Sequence, residues 1–247
     1  MPTWIQGEIT ENKQWCTDLF SIKIKIAPLK FKAGQFALAG LDIDDTLVHR
    51  PYSLVNTPQD SLLEIHFNTF EKSFLTAKLA ELVKGDAIQI ADRLNGLLTL
   101  DQVPDVPHLW LFATGTGIGP FLSMLKTAEP WQRFEKIILC YSVKTVEGLA
   151  YRDDFEAMLS KYPEQFCFIP YTTREQSPDT VHSRITSHLE SGELEKHVNL
   201  QLSPEASHLM LCGNAKMLEQ VTKHLETRGL RRHSRREPGH IATEKYY

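Results

Sequence analysis

The segment ATGTGIGP, from Ala113 to Pro120, constrains the fold more than any other part of the chain. It follows an apolar run at 108–113 and leads into a pattern typical of a helix. Pro120 suits the first turn of that helix, because it lacks an N–H that would go unpaired there. The three glycines let backbone amides approach a ligand closely, and a helix N-terminus favours phosphate. The spacing is not the GxGxxG of the dinucleotide-binding fingerprint, so the motif alone does not establish a phosphate site. The glycines indicate either a phosphate site or only a tight turn.

Strands and helices alternate after this turn. We predict strands at 108–113, 136–143, 166–173 and 208–212, and helices at 120–126, 152–161, 184–191 and 215–228. Such βα alternation predicts a parallel sheet covered by helices on both faces, as in Rossmann-like domains. The last ten residues form a tail that must dock somewhere.

The first hundred residues have the pattern of strands. Apolar and polar residues alternate in LFSIKIKIA, which starts at Leu19 and places one face in a core. Further strands are predicted at 34–39, 48–56, 62–70 and 86–91, with one short helix near 73–82. Many short strands with Gly and Pro between them favour a six-stranded antiparallel barrel. The polar connection DQVPDVP then separates a barrel domain, 1–101, from an α/β domain, 102–247.

Composition excludes several classes of function. With 27 basic and 31 acidic residues the formal charge is −4, which argues against bulk binding of nucleic acid. The four cysteines are widely spaced and form no cluster with histidine, so we expect no metal site and a reducing compartment. The stretch 106–125 lacks charged residues, but it is too rich in Gly, Thr and Pro to be a lipid-facing helix. We expect a cytoplasmic protein without stable membrane association.

Three basic residues fall near the ends of neighbouring predicted strands. The second strand of the α/β domain ends in Val143-Lys144, the third ends in Thr173-Arg174, and Arg184 opens the next helix. Each residue alone is typical of ordinary surface charge. Because parallel strands end at one edge of a sheet, the three together indicate a clamp for the 2′-phosphate of NADP.

A second candidate site lies on a barrel strand. Arg50-Pro51-Tyr52-Ser53 offers a guanidinium, an aromatic face and a hydroxyl, which suit a flat phosphorylated cofactor. Tyrosine and serine are common in strands, so the spacing alone supports this hypothesis weakly.

At these residues the chain resembles a known family. RPYSLVN, GTGIGP, the triplet Cys212-Gly213-Asn214 and the tail PGHIATEKYY resemble, in order and spacing, the bacterial ferredoxin/flavodoxin–NADP reductases. The resemblance covers essentially the whole chain. It departs from the family at position 144, where we would expect Arg, and at the terminus, where relatives can end in Trp rather than Tyr. Lysine keeps the charge but loses the planar fork of arginine.

The resemblance implies FAD in the barrel and NADP(H) in the α/β domain. The implied FAD contacts are Arg50, Pro51, Tyr52, Ser53, His66, Phe67, Asn68, Thr69, Phe74, Leu75 and Thr76, with Tyr246 and Tyr247 of the tail covering the flavin. The implied nucleotide contacts are Gly115, Thr116, Gly117, Gly119, Val143, Lys144, Thr173, Arg174, Arg184, Cys212, Gly213 and Asn214. The implied catalytic residues are Ser53 near flavin N5, Cys212 beside the nicotinamide and Glu244 as a proton relay.

The implied reaction is electron transfer between NADPH and flavodoxin or ferredoxin. These partners are typically acidic, so Arg231, Arg232, Arg235 and Arg236 are candidate docking residues. We expect a monomer. Two alternatives stay open: a reductase component of an oxygenase or a free flavin or ferric reductase, and a flavin-binding electron-transfer subunit without NADP activity.

Overall fold

The computed structural model describes residues 2–70 and 73–246. The chain divides into two compact units: Met1–Leu100 with Gly119–Thr127, and Asp101–Ile118 with Ala128–Tyr247. The segment 119–127 thus groups with the first unit, although it follows the first strand of the second. It is tied there by Ser123, whose buried hydroxyl donates to the Asn56 carbonyl at 2.7 Å.

The first unit is an antiparallel barrel. Its described strands are β1 (Trp4–Cys16), β2 (Leu19–Lys25), β3 (Phe36–Ile43), β4 (Thr46–Ser53), β5 (Leu62–Asn68) and β6 (Ala87–Ala91), and helix α1 is Phe74–Glu81. The order in the sheet is β4-β3-β6-β1-β2-β5. A bridge between Leu54 and Ile65 joins the two end strands, so the sheet closes on itself. The predicted antiparallel barrel is confirmed.

Alternation along the strands builds the barrel core. Ile22 and Ile24 of β2 and Ile65 and Phe67 of β5 face inward and are buried. The thirteen-residue β1 was not predicted. Its apolar residues do not alternate cleanly, because two register shifts interrupt its pairing with β2.

The second unit is a parallel sheet. Its described strands are β7 (His108–Thr114), β8 (Lys136–Val143), β9 (Phe166–Thr172), β10 (Ser207–Asn214) and β11 (Ile241–Tyr246). They lie in the order β11-β10-β7-β8-β9, and every neighbouring pair is parallel. Around the strands the chain forms α3 (Glu129–Arg133), α4 (Arg152–Lys161), α5 (Ile185–Glu190), α6 (Glu193–Val198) and α7 (Ala215–Glu226); α2 (Gly119–Leu125) belongs to the first unit. The predicted Rossmann-like sheet is confirmed.

The C-terminal tail docks as the edge strand β11. Its residues pair with β10 in parallel register, with Glu244 opposite Cys212 and Tyr246 opposite Asn214. Tyr247 lies outside the described residues. No helix among residues 2–70 and 73–246 is both long and apolar enough to cross a membrane.

The outer face of the barrel carries a buried histidine. His66 Nδ1 lies 2.9 Å from the Ser21 hydroxyl and 3.0 Å from the Phe20 carbonyl, and Trp15 Nε1 donates to the same hydroxyl at 2.7 Å. Burial lowers the pKa of His66 to about 3, and the bond to the Phe20 carbonyl opposes this shift only in part. The imidazole is therefore neutral in the folded protein at physiological pH.

We predict that His66 makes the folded protein less stable as the pH falls. Above pH ~6.5 His66 is neutral in both states, whereas between that pH and about 3 only the unfolded chain takes the proton. Each pH unit in this window therefore removes about 1.4 kcal/mol of stability through this residue. We expect His66→Asn to reduce the slope of unfolding free energy against pH by about that amount, measured by urea denaturation from pH 7 to 4.5. An unchanged slope would contradict the neutral assignment.

Candidate active site

The carboxyl ends of β7 and β10 meet at the switch point of the parallel sheet. After β7 the chain continues to β8 on one side, whereas after β10 it continues to β11 on the other side. The loops after these two strands therefore diverge. Residues Gly115–Ile118 form a 3₁₀ turn directly after β7, and α2 follows it. The predicted strand, glycine turn and helix are confirmed. In open α/β sheets, ligands bind in such a crevice beyond the carboxyl ends of the strands.

Close packing of backbone explains Gly117. A Cβ at this position would lie 2.5 Å from the Cys212 carbonyl oxygen and 2.9 Å from the Gly213 nitrogen. Real Cβ atoms do not come this close to backbone, so only glycine lets the turn rest on the end of β10. The same contact positions the turn's amides at the switch point.

Gly213 meets the same constraint from the opposite strand. Its φ is +124°, and a Cβ would lie 2.6 Å from the Thr114 carbonyl oxygen and closer still to the Thr114 hydroxyl. That hydroxyl accepts the Asn214 N–H at 2.7 Å, which joins the two strand ends across a hundred residues of sequence. This role of Thr114 was not predictable from the motif, because its partner lies a hundred residues further along the chain.

Asn214 starts helix α7. Its Oδ1 accepts the N–H groups of Lys216 at 2.9 Å and Met217 at 3.3 Å, so the residue is an N-cap. Cys212 beside it is completely buried in β10. The triplet Cys212-Gly213-Asn214 therefore has a structural function that does not depend on any ligand.

The structure places the predicted basic residues at the end of the sheet where the strands finish. We call this end the carboxyl edge; it consists of the last residues of β7 to β10 and the loops that follow them, and those last residues are Thr114, Val143, Thr172 and Asn214. Arg174 N donates to the Lys144 carbonyl at 2.9 Å, and Thr173 N donates to the Val143 carbonyl at 3.1 Å. The segment before Arg184 returns to the same region, since Val181 bridges Tyr171 of β9. Lys144, Arg174 and Arg184 are all exposed.

The barrel strand β4 carries the second candidate site. Arg50 and Pro51 are exposed, whereas Tyr52 and Ser53 are buried. The Tyr52 ring packs edge-on against Phe67, with 6.0 Å between ring centroids. Within the described part of the chain its hydroxyl has no hydrogen-bond partner. Burial raises the pKa of this phenol more than the nearby Arg50 guanidinium lowers it, so it stays neutral.

An unsatisfied buried hydroxyl is costly and calls for a polar partner. Tyr52 therefore fits a site whose remaining polar contacts come from a bound group.

The other predicted flavin residues surround β5 and α1. Asn68 donates its side-chain amide to the Asp18 carbonyl, and Thr69 N donates to the same atom, at 3.0 and 2.9 Å. At the start of α1, Leu75 and Thr76 are buried and Phe74 is exposed. The Thr76 hydroxyl donates to the Ser73 carbonyl at 3.2 Å.

The four arginines near the tail lie elsewhere. Arg231, Arg232, Arg235 and Arg236 belong to the loop that enters β11 at its amino end, where Leu209 N donates to the His240 carbonyl at 2.7 Å. All four are exposed, and Arg232 pairs with Glu226 at 2.9 Å. They form a surface separate from the carboxyl edge of the same sheet.

The glycine turn offers a matched pair of substitutions. We expect Gly117→Ala to lower the unfolding free energy by about 1–3 kcal/mol, because its methyl group would overlap the Cys212 backbone. Gly119→Ala should cost less than about 0.5 kcal/mol, since the nearest atom to its Cβ, on Ser53, lies at 3.5 Å. Thermal and chemical unfolding of both variants measure this, and equal losses would contradict the assigned packing.

Comparison with known proteins agrees with this architecture. Residues 111–223 match the oxidoreductase NAD-binding domain family. The chain is 36% identical to a flavodoxin/ferredoxin–NADP reductase of Buchnera aphidicola over the full length of both proteins, and 36% identical to that of Escherichia coli, covering 90% of this chain and 89% of the relative. It superposes on a ferredoxin NADP+ reductase of Neisseria gonorrhoeae with bound FAD and NADP, with a TM-score of 0.94, 30% identity and 99% coverage of each chain. The chain belongs to the flavodoxin/ferredoxin–NADP reductase family.

Proposed function

We propose that this chain transfers electrons between NADPH and flavodoxin or ferredoxin, with FAD as its bound cofactor. The observation that carries the proposal is the switch point of the parallel sheet, where the glycine turn packs on the end of β10 beside an exposed basic edge. Backbone amides at such a turn suit the pyrophosphate of a dinucleotide, and the cations suit its 2′-phosphate. The gonococcal relative, whose structure contains FAD and NADP, supports the same assignment.

The nucleotide half of the proposal uses the second unit and the glycine turn that leads from β7 into α2. Backbone amides of Gly115, Thr116 and Gly117 face the pyrophosphate, with Gly119 opening α2. Lys144, Arg174 and Arg184 hold the 2′-phosphate, with Val143 and Thr173 as the backbone beneath them. The exposure of all three cations leaves them accessible to a ligand phosphate.

The flavin half of the proposal uses the first unit. Arg50 neutralises the FAD pyrophosphate, while Pro51 and Tyr52 present an apolar and aromatic surface to the flavin. The residues 66–69 and 74–76 complete the set. When bound, FAD supplies the conversion between two-electron and one-electron transfer. The buried Tyr52 hydroxyl, which has no hydrogen-bond partner among residues 2–70 and 73–246, supports this placement, because a cofactor would supply one.

Three residues are proposed to serve the chemistry. Ser53 is a buried hydroxyl that donates to the flavin ring. Cys212 lies at the end of β10 and packs against the nicotinamide; its role is orientation, since hydride transfer needs close approach rather than a thiolate. Glu244 is in register with Cys212 on the neighbouring strand, about 4.8 Å away between backbones, and is proposed as a proton relay. The tail residues Tyr246 and Tyr247 are proposed to cover the flavin.

We further infer a monomer in the cytoplasm that docks acidic electron carriers. The sequence carries four widely spaced cysteines without a disulfide-like pattern, which supports a reducing compartment. The cations at the carboxyl edge supply positive charge for an acidic partner.

The purified protein tests the assignment directly. We expect flavin absorption in the visible range, loss of that absorption with NADPH in the absence of oxygen, and recovery on adding oxidised flavodoxin or ferredoxin. An acceptor panel that includes ferric complexes, free flavins and an oxygenase component separates the alternatives. Bleaching by NADPH without transfer to either carrier would reject the proposed partners, and a protein that binds no flavin would reject the function.

Nucleotide preference tests the basic edge. Arg174→Ala and Arg184→Ala each remove a charged hydrogen bond to the 2′-phosphate, worth about 1.5–3 kcal/mol. We expect KM for NADPH to rise roughly tenfold or more in each variant while KM for NADH changes little. Steady-state reduction of a small dye measures both constants. If the two nucleotides suffer alike, the phosphate assignment is wrong.

A further inference from the structure

The proposed 2′-phosphate site draws its three cations from three separate segments. Lys144 follows β8, Arg174 follows β9, and Arg184 precedes α5. All three are long exposed side chains on loops, so their convergence depends on how those loops are held together. Packing of apolar side chains contributes little at such an exposed edge.

Glu175 belongs to one of the three segments and hydrogen-bonds to the other two. The Glu175 carboxylate accepts the Val146 N–H at 2.7 Å, two residues beyond Lys144. The Glu175 carbonyl accepts from His182 Nδ1 at 2.8 Å, two residues before Arg184. Glu175 also follows Arg174 directly in the chain, and Arg174 N donates to the Lys144 carbonyl at 2.9 Å.

The carboxylate bond has a clear local reason. Val146 is the first residue of the 3₁₀ turn Val146–Gly148, where backbone N–H groups lack partners within the turn. Thr145 before it makes no side-chain cap. Glu175 supplies the missing acceptor from another loop, and its negative charge is favourable at the start of a turn.

If only its charge mattered, Glu175 would weaken the binding of a phosphate. A carboxylate next to Arg174 repels a phosphate, so removing it would strengthen binding if charge dominated. The carboxylate bond predicts weaker binding instead, because the loop after Lys144 would lose its side-chain bond to the segment of Arg174. The main-chain bond between the Glu175 carbonyl and His182 would remain. The sign of the effect therefore separates the two interpretations.

We propose that Glu175 is a positioning residue for nucleotide specificity: its carboxylate fixes the loop after Lys144 to the segment of Arg174, whose main chain also bonds to His182 before Arg184, so that the three cations take one arrangement that fits a 2′-phosphate. This inference rests on the proposed function and adds a residue that does not touch the ligand. The role of Glu175 was not predictable from the sequence, because a carboxylate beside a proposed phosphate ligand would be expected to repel the phosphate.

Substitution at 175 tests the proposal in the flavin-loaded enzyme. We expect Glu175→Ala to raise the dissociation constant of adenosine 2′,5′-bisphosphate and KM for NADPH about five- to tenfold. KM for NADH and kcat with either nucleotide should change less than about twofold. Glu175→Gln keeps an oxygen that accepts the Val146 N–H, so it should restore most of the affinity. Calorimetry and dye reduction give these values.

Glu147→Ala is the matched control. Glu147 is an exposed carboxylate on the same turn as Val146, so this variant removes an equal charge near Lys144 and leaves the Glu175 bonds intact. We expect unchanged or slightly tighter binding of the bisphosphate. Weakening equal to that of Glu175→Ala would overturn the proposal, and so would tighter binding by Glu175→Ala or failure of Glu175→Gln to rescue.

Removing the donor gives an independent test. Val146→Pro deletes the N–H, at the first position of a turn where proline is accepted and after a residue, Thr145, whose backbone is extended. This variant should weaken bisphosphate binding as Glu175→Ala does, and the double variant should be no weaker than either alone. Full additivity would contradict the assigned bond.

The wild-type protein separates failure of this inference from failure of the proposed function. If the wild type does not distinguish NADPH from NADH and does not bind the bisphosphate, the nucleotide assignment itself fails. If the wild type discriminates and Glu175→Ala binds as tightly, only the role of Glu175 fails. Unchanged melting temperatures in the Glu175 variants would exclude unfolding as the cause of a loss.

Discussion

The contact between the ends of β7 and β10 is the constraint on which the proposed nucleotide site depends. Gly117 rests on the Cys212 backbone, Gly213 rests on Thr114, and the Thr114 hydroxyl accepts the Asn214 N–H. A Cβ at Gly117 or at Gly213 would overlap the opposite strand end. The glycine turn therefore packs directly on the end of β10 at the switch point, beside the crevice where α/β sheets bind ligands.

The same contact gives two sequence motifs, the glycine turn and the triplet Cys212-Gly213-Asn214, an explanation in backbone packing. Glycine turns after a strand are commonly interpreted as room for a ligand. Here Gly117 and Gly213 make room for protein backbone, and Asn214 caps α7. Packing fixes these positions even before any cofactor binds, so the backbone of the proposed site is arranged in advance of its ligand. The cations of the carboxyl edge are different: they are exposed and depend on loop bonds for their arrangement.

Sequence patterns predicted the fold well where the periodicity was simple. The buried strands of the α/β unit and the alternating β2 and β5 were predicted, because burial on two faces or on one leaves a distinct apolar pattern. The bulged β1 lacks that pattern. The short helices α3 and α6 were also missed, since five or six residues carry too few apolar positions to show a period. The tail became strand β11, which depends on pairing with β10 rather than on local sequence.

The candidate site residues were predicted from short motifs and from the family resemblance, and they stay predictions. Tertiary partners were not predictable, because the bonds from Thr114 to Asn214 and from Glu175 to Val146 span distant parts of the chain. A crystal structure of the flavin-loaded protein with NADP+ tests the central claim most directly. We predict the pyrophosphate against the amides of 115–117 and the 2′-phosphate between Lys144, Arg174 and Arg184. A nucleotide bound instead at the amino end of the sheet, beside Arg231 and Arg235, would contradict the account.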